Sequence, residues 1–243
     1  MQITRPTPIV EQVDTLLRDR IRAEYYPPGG RLPSETELSE ELGVSRATIR
    51  TVFARMAVEG LILRKQGDGT YVNRHIRAIN THSGGIWDFA RLIASSGYEP
   101  AIQPVSQSIR PAQEHEADLL AVEPGEQLLS IVRLFSADGA PAILAQNVVP
   151  LQLIKETPDQ IDGRLQIGDL LERYCHQKIA YTLTDISSIA ATPEAVEYLN
   201  VPAGSPLLVL KVTFYNRNNH PIVHGRSYFN DSLLRLRLVQ AWG

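Results

Sequence analysis

Residues 34–50, with the sequence SETELSEELGVSRATIR, contain the signals that begin and end two short helices. Ser34 and Glu37 can form a capping box, in which each side chain bonds the backbone amide of the other residue, so a helix begins directly after Ser34. Gly43 ends that helix, because glycine adopts the left-handed conformation at little cost. Ser45 caps a second helix that begins one residue later. The stretch therefore predicts a helix-turn-helix.

Further elements on both sides complete a small domain. An amphipathic helix, with its apolar face between Ile9 and Ile21, precedes the stretch. Two apolar runs after it, residues 61–65 and 70–72, flank a glycine-rich turn and predict a β-hairpin. A helix-turn-helix followed by a hairpin is a winged arrangement. Residues 1–75 therefore form a mainly α winged helix-turn-helix domain.

The helix after Ser45 has an apolar stripe that includes Ile49 and Phe53 and must face the core. Its first turn and a half exposes a different side. The residues on that side are Arg46, Ala47, Thr48 and Arg50. A helix of this length fits the major groove of DNA, where guanidinium groups bond guanine edges or clamp phosphates. We interpret this side as a DNA-binding surface.

The order and spacing of these motifs closely resemble the GntR-type winged helix-turn-helix across residues 9–72. The motifs are PGGRLPSE at 28–35, ELSEELGVSRATIR at 37–50, EGLI at 59–62 and QGDGTYV at 66–72. The resemblance implies sequence-specific binding to double-stranded operator DNA. The DNA-contact residues that we expect are Ser34, Thr36, Ser45, Arg46, Ala47, Thr48, Arg50 and Gly67. Thr36 stands where many members have arginine, and Asp68 where a basic or neutral residue is commoner, which indicates a different operator sequence.

The rest of the chain contains an internal repeat with a shift of 79 residues. The superposed pairs are Ala112/Ala191, Leu120/Leu199, Val122/Val201, Gly125/Gly204, Leu128/Leu207, Leu129/Leu208 and Phe135/Phe214. Each copy predicts a short helix, a tight turn, an apolar strand, a polar turn and a returning strand. Two such copies would form one antiparallel sheet with helices on one face, an α+β layer.

Residues from about 80 onward resemble the UTRA domain of the HutC-type subfamily, which shares its fold with chorismate lyase. The motifs are Gly97-Tyr98-x-Pro100, the strand at 128–135, Ala137-Asp138-Gly139-x-Pro141 and the His220-Pro221 hairpin. The resemblance implies a small-molecule effector bound between the repeats and a homodimer formed through this domain. The predicted organisation is a winged domain at 1–75, a polar linker at 76–85 and an effector-binding and dimerisation domain at 86–243.

Arg133 matches an arginine that often contacts an anionic group of the effector in this family. Phe135, Ala145 and Val223 replace charged residues that the family pattern leads us to expect. Alternation along the strands places residues 131, 133 and 135 on one face and 143, 145 and 147 on one face of the next strand. The pocket should therefore be more apolar than that of a sugar-phosphate sensor. Its predicted lining is Arg133, Asn147, Ser227 and Phe229.

The composition fits folded globular domains: the 243 residues are 43% hydrophobic and 21% charged. The formal net charge is −3, yet residues 1–77 carry 12 basic and 10 acidic side chains. DNA affinity should therefore depend on a few placed arginines and on dimerisation. The single cysteine, Cys175, excludes a disulfide framework. We find no apolar run of membrane-spanning or signal-peptide length, so we expect a cytoplasmic protein without a membrane partner.

Known catalytic motifs, among them Gly-x-Ser-x-Gly, the Walker loop and His-Glu-x-x-His, do not occur in the sequence. The six histidines are scattered, and we expect no metal site and no cofactor. Two alternatives stay open: an enzyme that uses the chorismate-lyase-like domain, and an effector-free DNA-binding protein. We predict instead a non-enzymatic, homodimeric transcription regulator, a repressor, whose operator binding is controlled by a small-molecule effector.

Overall fold

A computed structural model of the chain describes residues 8–74, 88–230, 232–234 and 236. Two compact units are present: an N-terminal unit that contains residues 8–74, and a C-terminal unit that contains residues 88–230 and 232–234. The predicted linker at 76–85 lies outside the described residues. The domain boundaries therefore stay predictions.

Three helices and a hairpin form the described part of the N-terminal unit. They are α1 (Ile9–Arg22), α2 (Glu35–Leu42), α3 (Arg46–Val58), β1 (Ile62–Lys65) and β2 (Gly69–Val72). The capping box of Ser34 and Glu37 is formed, with donor–acceptor distances of 2.7 and 3.2 Å. Gly43 ends α2 in the left-handed conformation, at φ +63°. The predicted winged helix-turn-helix is confirmed.

One hydrophobic core joins these elements. Its buried side chains include Leu17, Leu38, Phe53, Ile62 and Val72, so every helix and both strands contribute to it. Apolar burial on this scale is the main stabilising contribution to a small domain. The core fixes α3 against the other elements and leaves its polar side free.

A buried ionic cluster also ties α1 to the end of α3. The Arg18 guanidinium lies 2.6 Å from the Asp14 carboxylate, one turn earlier, and 2.7 Å from the Glu59 carboxylate, which follows α3. Both contacts raise the pKa of Arg18 against the opposing effect of burial. The cluster therefore holds the C-terminal end of α3 in a fixed position.

The C-terminal unit consists of one sheet with helices. In the described residues its elements are α4 (Phe89–Ser95), β3 (Pro100–Pro111), α5 (Glu114–Leu120), β4 (Gln127–Ala137), β5 (Ala140–Pro150), α6 (Ile167–Cys175), β6 (Tyr181–Ala190), α7 (Pro193–Leu199), β7 (Pro206–Tyr215) and β8 (Pro221–Phe229). The six strands are antiparallel in the order β3-β4-β5-β8-β7-β6. The predicted α+β antiparallel-sheet domain is confirmed.

The internal repeat is visible in the element order, β3-α5-β4-β5 and then β6-α7-β7-β8. The pairing register shifts directly after Phe135 in β4 and directly after Phe214 in β7, two residues that the repeat superposes. The copies join where β5 pairs with β8. Each copy also covers the other, because α5 packs against β8 while α7 packs against β5.

Helices cover both faces of the sheet, so the expectation of helices on one face is wrong. The α5/α7 face carries the two repeated helices. On the other side, which we call the α4/α6 face, Phe89 of α4 contacts the rings of Phe135 and Phe229. Leu170 of α6 packs with Ile131 on the same face. The repeat gave no signal for these helices, because α4 precedes the first copy and α6 lies between the two.

The strands that open each copy, β3 and β6, were not predicted because they are the edge strands. Much of their surface is exposed on both sides, so no apolar alternation marks them. β3 contains Pro100, Pro104 and Pro111, which lack the N–H that a further strand would need. β6 contains no proline. Its exposed large apolar side chains are Tyr181, Leu183, Ile186 and Ile189.

Candidate DNA-binding and effector sites

The first turn of α3 presents its predicted DNA contacts at the surface. Arg46, Ala47 and Arg50 are exposed, and Thr48 is half-buried. The Ser45 hydroxyl accepts a hydrogen bond from the Thr48 amide at 3.1 Å and lies 2.9 Å from the Thr48 hydroxyl. Two guanidinium groups and two hydroxyls therefore surround a helix N-terminus, a position that favours phosphate.

The Glu35 carboxylate holds Arg50 in place on this surface. The Arg50 Nε lies 3.1 Å from one oxygen of Glu35, and the Arg64 guanidinium lies 3.6 Å from the other. Arg64 also donates to the Arg50 carbonyl at 3.4 Å. The sequence analysis missed Glu35 and Arg64, because their contact depends on how α2, α3 and β1 cross rather than on any local motif.

At the start of α2, Ser34 and Thr36 are exposed. The hydrogen bonds that the Glu37 carboxylate receives from Ser34 lower the pKa of that carboxyl. Because Glu35 reaches Arg50, the start of α2 lies beside the first turns of α3. The structure thus brings the predicted residues of the two helices onto one surface.

Gly67 forms the exposed tip of the hairpin, at φ +75°, and a Cβ there would meet no atom within 4 Å. The neighbouring Asp68 carboxylate accepts a hydrogen bond from the Tyr71 hydroxyl at 3.0 Å, which raises the pKa of Tyr71. Its other oxygen lies 3.9 Å from the Lys65 Nζ. The charge of Asp68 is therefore engaged by the wing itself.

The second predicted site lies on the α4/α6 face. Arg133 of β4 pairs directly with Ala145 of β5, and Ala145 pairs with Ser227 of β8. Asn147 follows two residues along β5 on the same face. Arg133, Asn147 and Ser227 line one small cavity. The alternation argument for this wall is confirmed by the strand register.

Phe229 is the fourth predicted lining residue, and the structure places it beside the cavity. It is buried, and its ring centroid lies 5.5 Å from that of Phe89. The apolar side chains that line the cavity are Phe89, Phe135, Ile167, Val212 and Phe214. The sequence analysis missed Phe89 and Ile167, which come from the two helices that lie outside the repeat.

Arg133 is 2% exposed, and its guanidinium forms no ion pair within the described residues. It donates to the Asn147 side-chain oxygen and to the Leu165 carbonyl. Its Nε is buried without a hydrogen-bond partner among those residues. Burial lowers the pKa of Arg133 to about 10, so the group stays charged at neutral pH. A buried cation without a counter-charge is costly, which favours an anionic ligand here.

The cavity at Arg133 is almost closed. Its volume of about 10 Å³ is close to the space that one water molecule needs. The guanidinium occupies the polar part of the site through its bonds to Asn147 and Leu165. Any larger ligand must therefore move Arg133 or the surrounding aromatic side chains.

A hydrogen-bonded corner connects this cavity to the start of α4. The Asp88 carboxylate caps α4 by accepting from the Arg91 amide at 3.0 Å. The same oxygen accepts from the Gln166 side chain at 3.0 Å, and Gln166 lines the cavity and precedes α6. Asp88 therefore connects the start of α4 directly to a side chain that lines the cavity.

Both units match protein-family models. Residues 9–72 match the bacterial regulatory proteins of the gntR family, and residues 95–235 match the UTRA domain. The chain belongs to the GntR family. This GntR-family protein is a DNA-binding transcription regulator whose C-terminal unit is a UTRA domain, and it is not an enzyme.

Similar proteins match nearly the whole length of the chain. The HTH-type transcriptional repressor NagR of Bacillus subtilis (strain 168) is 27% identical over 224 residues, which cover 92% of this chain and 91% of NagR. The HTH-type transcriptional regulator GgaR of Escherichia coli (strain K12) is 25% identical over 230 residues, 93% of this chain and 89% of GgaR. The crystal structure of the possible transcriptional regulator YydK from Bacillus subtilis has the same fold, with a TM-score of 0.75 at 18% identity, over 97% of this chain and 100% of YydK.

The described part of the GntR-family regulator lacks a membrane-spanning helix, a metal-binding cluster and a reactive thiol. No described helix is both long and apolar enough to cross a bilayer. Within residues 8–74 and 88–236, where described, no group of three or more His, Cys, Asp or Glu side chains is arranged to hold a metal ion. Burial raises the pKa of the Cys175 thiol to about 11, which disfavours the nucleophilic thiolate.

Proposed function

We propose that this GntR-family regulator is a cytoplasmic, homodimeric repressor of the HutC type that releases its operator when an anionic small molecule binds the UTRA domain. The buried charge of Arg133, which no described acid compensates, is the observation that supports an anionic effector. The 27% identity to the repressor NagR supports repression.

Binding to the operator depends on side chains of α3. Arg46 and Arg50 are four residues apart and therefore project from the same side of the helix. In the major groove they read guanine edges or bind phosphates, while Ser45 and Thr48 bind phosphate at the helix N-terminus. Ser34, Thr36 and Ala47 flank this surface, and Gly67 lets the wing approach the minor groove.

Effector binding acts through the cavity at Arg133. An anionic group takes the place of the Asn147 and Leu165 oxygens as the partner of the guanidinium, and Ser227 and Phe229 adjust around it. Movement of Phe89 and Gln166 then shifts α4 and the segment that leads into it. The effector thus favours one of two arrangements of the DNA-binding units.

The dimer forms along β6. This edge strand offers unpaired backbone groups together with Leu183 and Ile186, which are exposed. The opposite edge, β3, is interrupted by prolines. Two copies joined in this way present two DNA-binding units to the halves of a near-palindromic operator.

Gel-shift titration of the full chain on DNA from its own promoter tests the proposal. Arg46→Ala and Arg50→Ala should each weaken binding by about 1–3 kcal/mol if the side chain reads a base. Arg55→Ala is the matched control, because Arg55 is exposed on α3 but lies half a turn around the helix from Arg46. If both variants bind the operator like the parent protein, the assigned surface is wrong.

The same titration, repeated with metabolite fractions, tests the effector. A fraction that releases the operator should also raise the unfolding temperature, because a ligand that binds the folded state stabilises it. Stabilisation without operator release would contradict the regulatory role. Operator binding that no metabolite fraction alters would favour an effector-free regulator.

A further inference from the structure

The α5/α7 face contains a groove that belongs neither to the cavity at Arg133 nor to the DNA-binding surface. Its volume is about 280 Å³, against about 10 Å³ for the cavity on the other face. It lies across β4, β5 and β8, where the two repeats join. A groove of this size is near the lower limit for ligand pockets, so it suits a small metabolite.

Most of the groove lining is polar. The polar side chains that line it are Arg110, Gln113, His115, Glu116, Ser130, Gln146, His224 and Arg226. They come from both repeats, and adjacent residues on the same strands face the opposite cavity: Gln146 precedes Asn147, and Arg226 precedes Ser227. The groove is therefore a separate site on the reverse side of the same strands.

At one end of the groove the charges are already paired. The Arg110 guanidinium lies 2.6 Å from the Glu116 carboxylate, which also accepts from the Gln113 amide at 3.1 Å. These bonds lower the pKa of Glu116, so both partners stay ionised. This end is close to neutral and offers hydrogen bonds to uncharged polar groups.

At the other end a cation lacks an acidic partner. Arg226 donates to the Tyr228 hydroxyl at 3.5 Å and forms no ion pair within the described residues. Its cross-strand neighbours are Gln146 on β5 and Lys211 on β7. Two cations directly opposite each other destabilise a sheet unless a counter-charge is present.

Two acids lie on neighbouring elements, and neither pairs with Arg226 within the described residues. Glu194 on α7 accepts from the Gln146 side chain at 3.0 and 3.1 Å, and Asp185 on the outer strand is the cross-strand neighbour of Lys211. Arg226 therefore offers a positive charge to the groove that no described acid pairs with. An anion bound there would relieve its repulsion with Lys211.

We propose that this groove is a second ligand site, for a small anion that carries hydroxyl groups. Its phosphate or carboxylate binds Arg226, and its hydroxyls bond Ser130, Gln146 and the Arg110–Glu116 pair. The sheet separates this site from the effector site at Arg133, and Gly225 is the one lining residue that the two have in common.

Calorimetric titration of the full chain tests this site, with glucose 6-phosphate, gluconate and inorganic phosphate as anionic probes and glucose as the neutral one. At least one hydroxylated anion should bind, and Arg226→Gln should weaken that binding at least tenfold. Arg226→Lys should restore part of it. Arg217→Gln, at an exposed hairpin turn, is the control that should leave the affinity unchanged.

The two phosphate-bearing probes and gluconate distinguish a phosphate site from a carboxylate site. Arg133→Met should not change binding in the groove. The proposal is overturned if none of the anions binds, if Arg226→Gln binds them normally, or if Arg133→Met alone abolishes binding. It is also overturned if Arg226→Gln alters the oligomeric state but not ligand affinity, because a second copy would then cover the groove.

Discussion

Arg133 carries a full charge at a position that the sheet and two helices almost enclose. Replacement by Met retains most of the side-chain volume and removes the buried charge, but leaves the Asn147 and Leu165 oxygens with fewer donors. We expect these effects to offset each other to within about 2 kcal/mol of unfolding free energy. Arg133→Met should therefore fold and bind the operator, yet fail to release it when the effector is added.

Arg164→Met is the matched control, because Arg164 is exposed near the same cavity. Gel shift with the releasing metabolite, together with thermal unfolding, checks the pair. Normal release by the Arg133 variant would remove this arginine from the effector site.

At the residue scale, the sequence predicted which face of a strand or helix a side chain occupies, because each element has a fixed period. The two-residue period of strands placed Arg133 and Asn147 on one wall, and the helical period separated Arg46 and Arg50 from the core. It did not predict Glu35 beside Arg50, since that contact joins two helices. Period alone also could not show that Phe229 contacts Phe89 and is not among the side chains that line the cavity.

Among the elements, α4 and α7 are similar short helices on opposite faces of the sheet. Each is capped by a side chain at its N-terminus, Asp88 for α4 and Thr192 for α7. Removal of such a cap costs about 1 kcal/mol. Asp88 also holds Gln166 at the start of α6, whereas the Thr192 hydroxyl accepts only from the Ala195 amide of its own helix among the described residues.

We therefore expect Asp88→Ala and Thr192→Ala to lower the unfolding free energy by similar amounts but to differ locally. Asp88→Ala should speed amide hydrogen exchange in α4 and in the first turn of α6, because both lose an anchor. Thr192→Ala should speed exchange in α7 only. Unchanged exchange in α6 of the Asp88 variant would contradict the connection between the cavity and α4.

The elements that the sequence missed share a physical cause. β3 and β6 lie at the sheet edges, where neither face is fully buried, so their alternation is weak. The groove beside Arg226 was also missed, because it depends on the start of α5 lying beside β8 of the other repeat. The repeated helices were predicted because burial on one side leaves a period in the sequence, and the inner strands because burial on both faces leaves an apolar run.

For the whole molecule, the two edges of the sheet predict how copies associate. Leu183 on β6 is 59% exposed, and Ile109 on β3 is 46% exposed. Leu183→Lys should weaken dimerisation at least tenfold and should weaken operator binding with it, because a charge would be buried in the interface. Ile109→Lys, the matched control, should change neither.

Sedimentation equilibrium of both variants measures the effect. Each substitution lies at an exposed position, so the change in unfolding free energy within one subunit should be about 0.5 kcal/mol or less. Equal weakening by the two substitutions would contradict an interface at β6, and an unchanged dimer in the Leu183 variant would contradict it outright.

The crosswise packing of α5 on β8 and of α7 on β5 also bears on how such a sheet could have arisen. A chain with one copy of the repeat could cover only its own strands with its helix, as α5 covers Leu128 and Val148, and would lack the strand that the other copy supplies. Such a chain could bury the remaining side of the helix only against a second identical chain. The present unit resembles that pair with its two members fused, so its two ligand faces could diverge while the shared scaffold stayed in place.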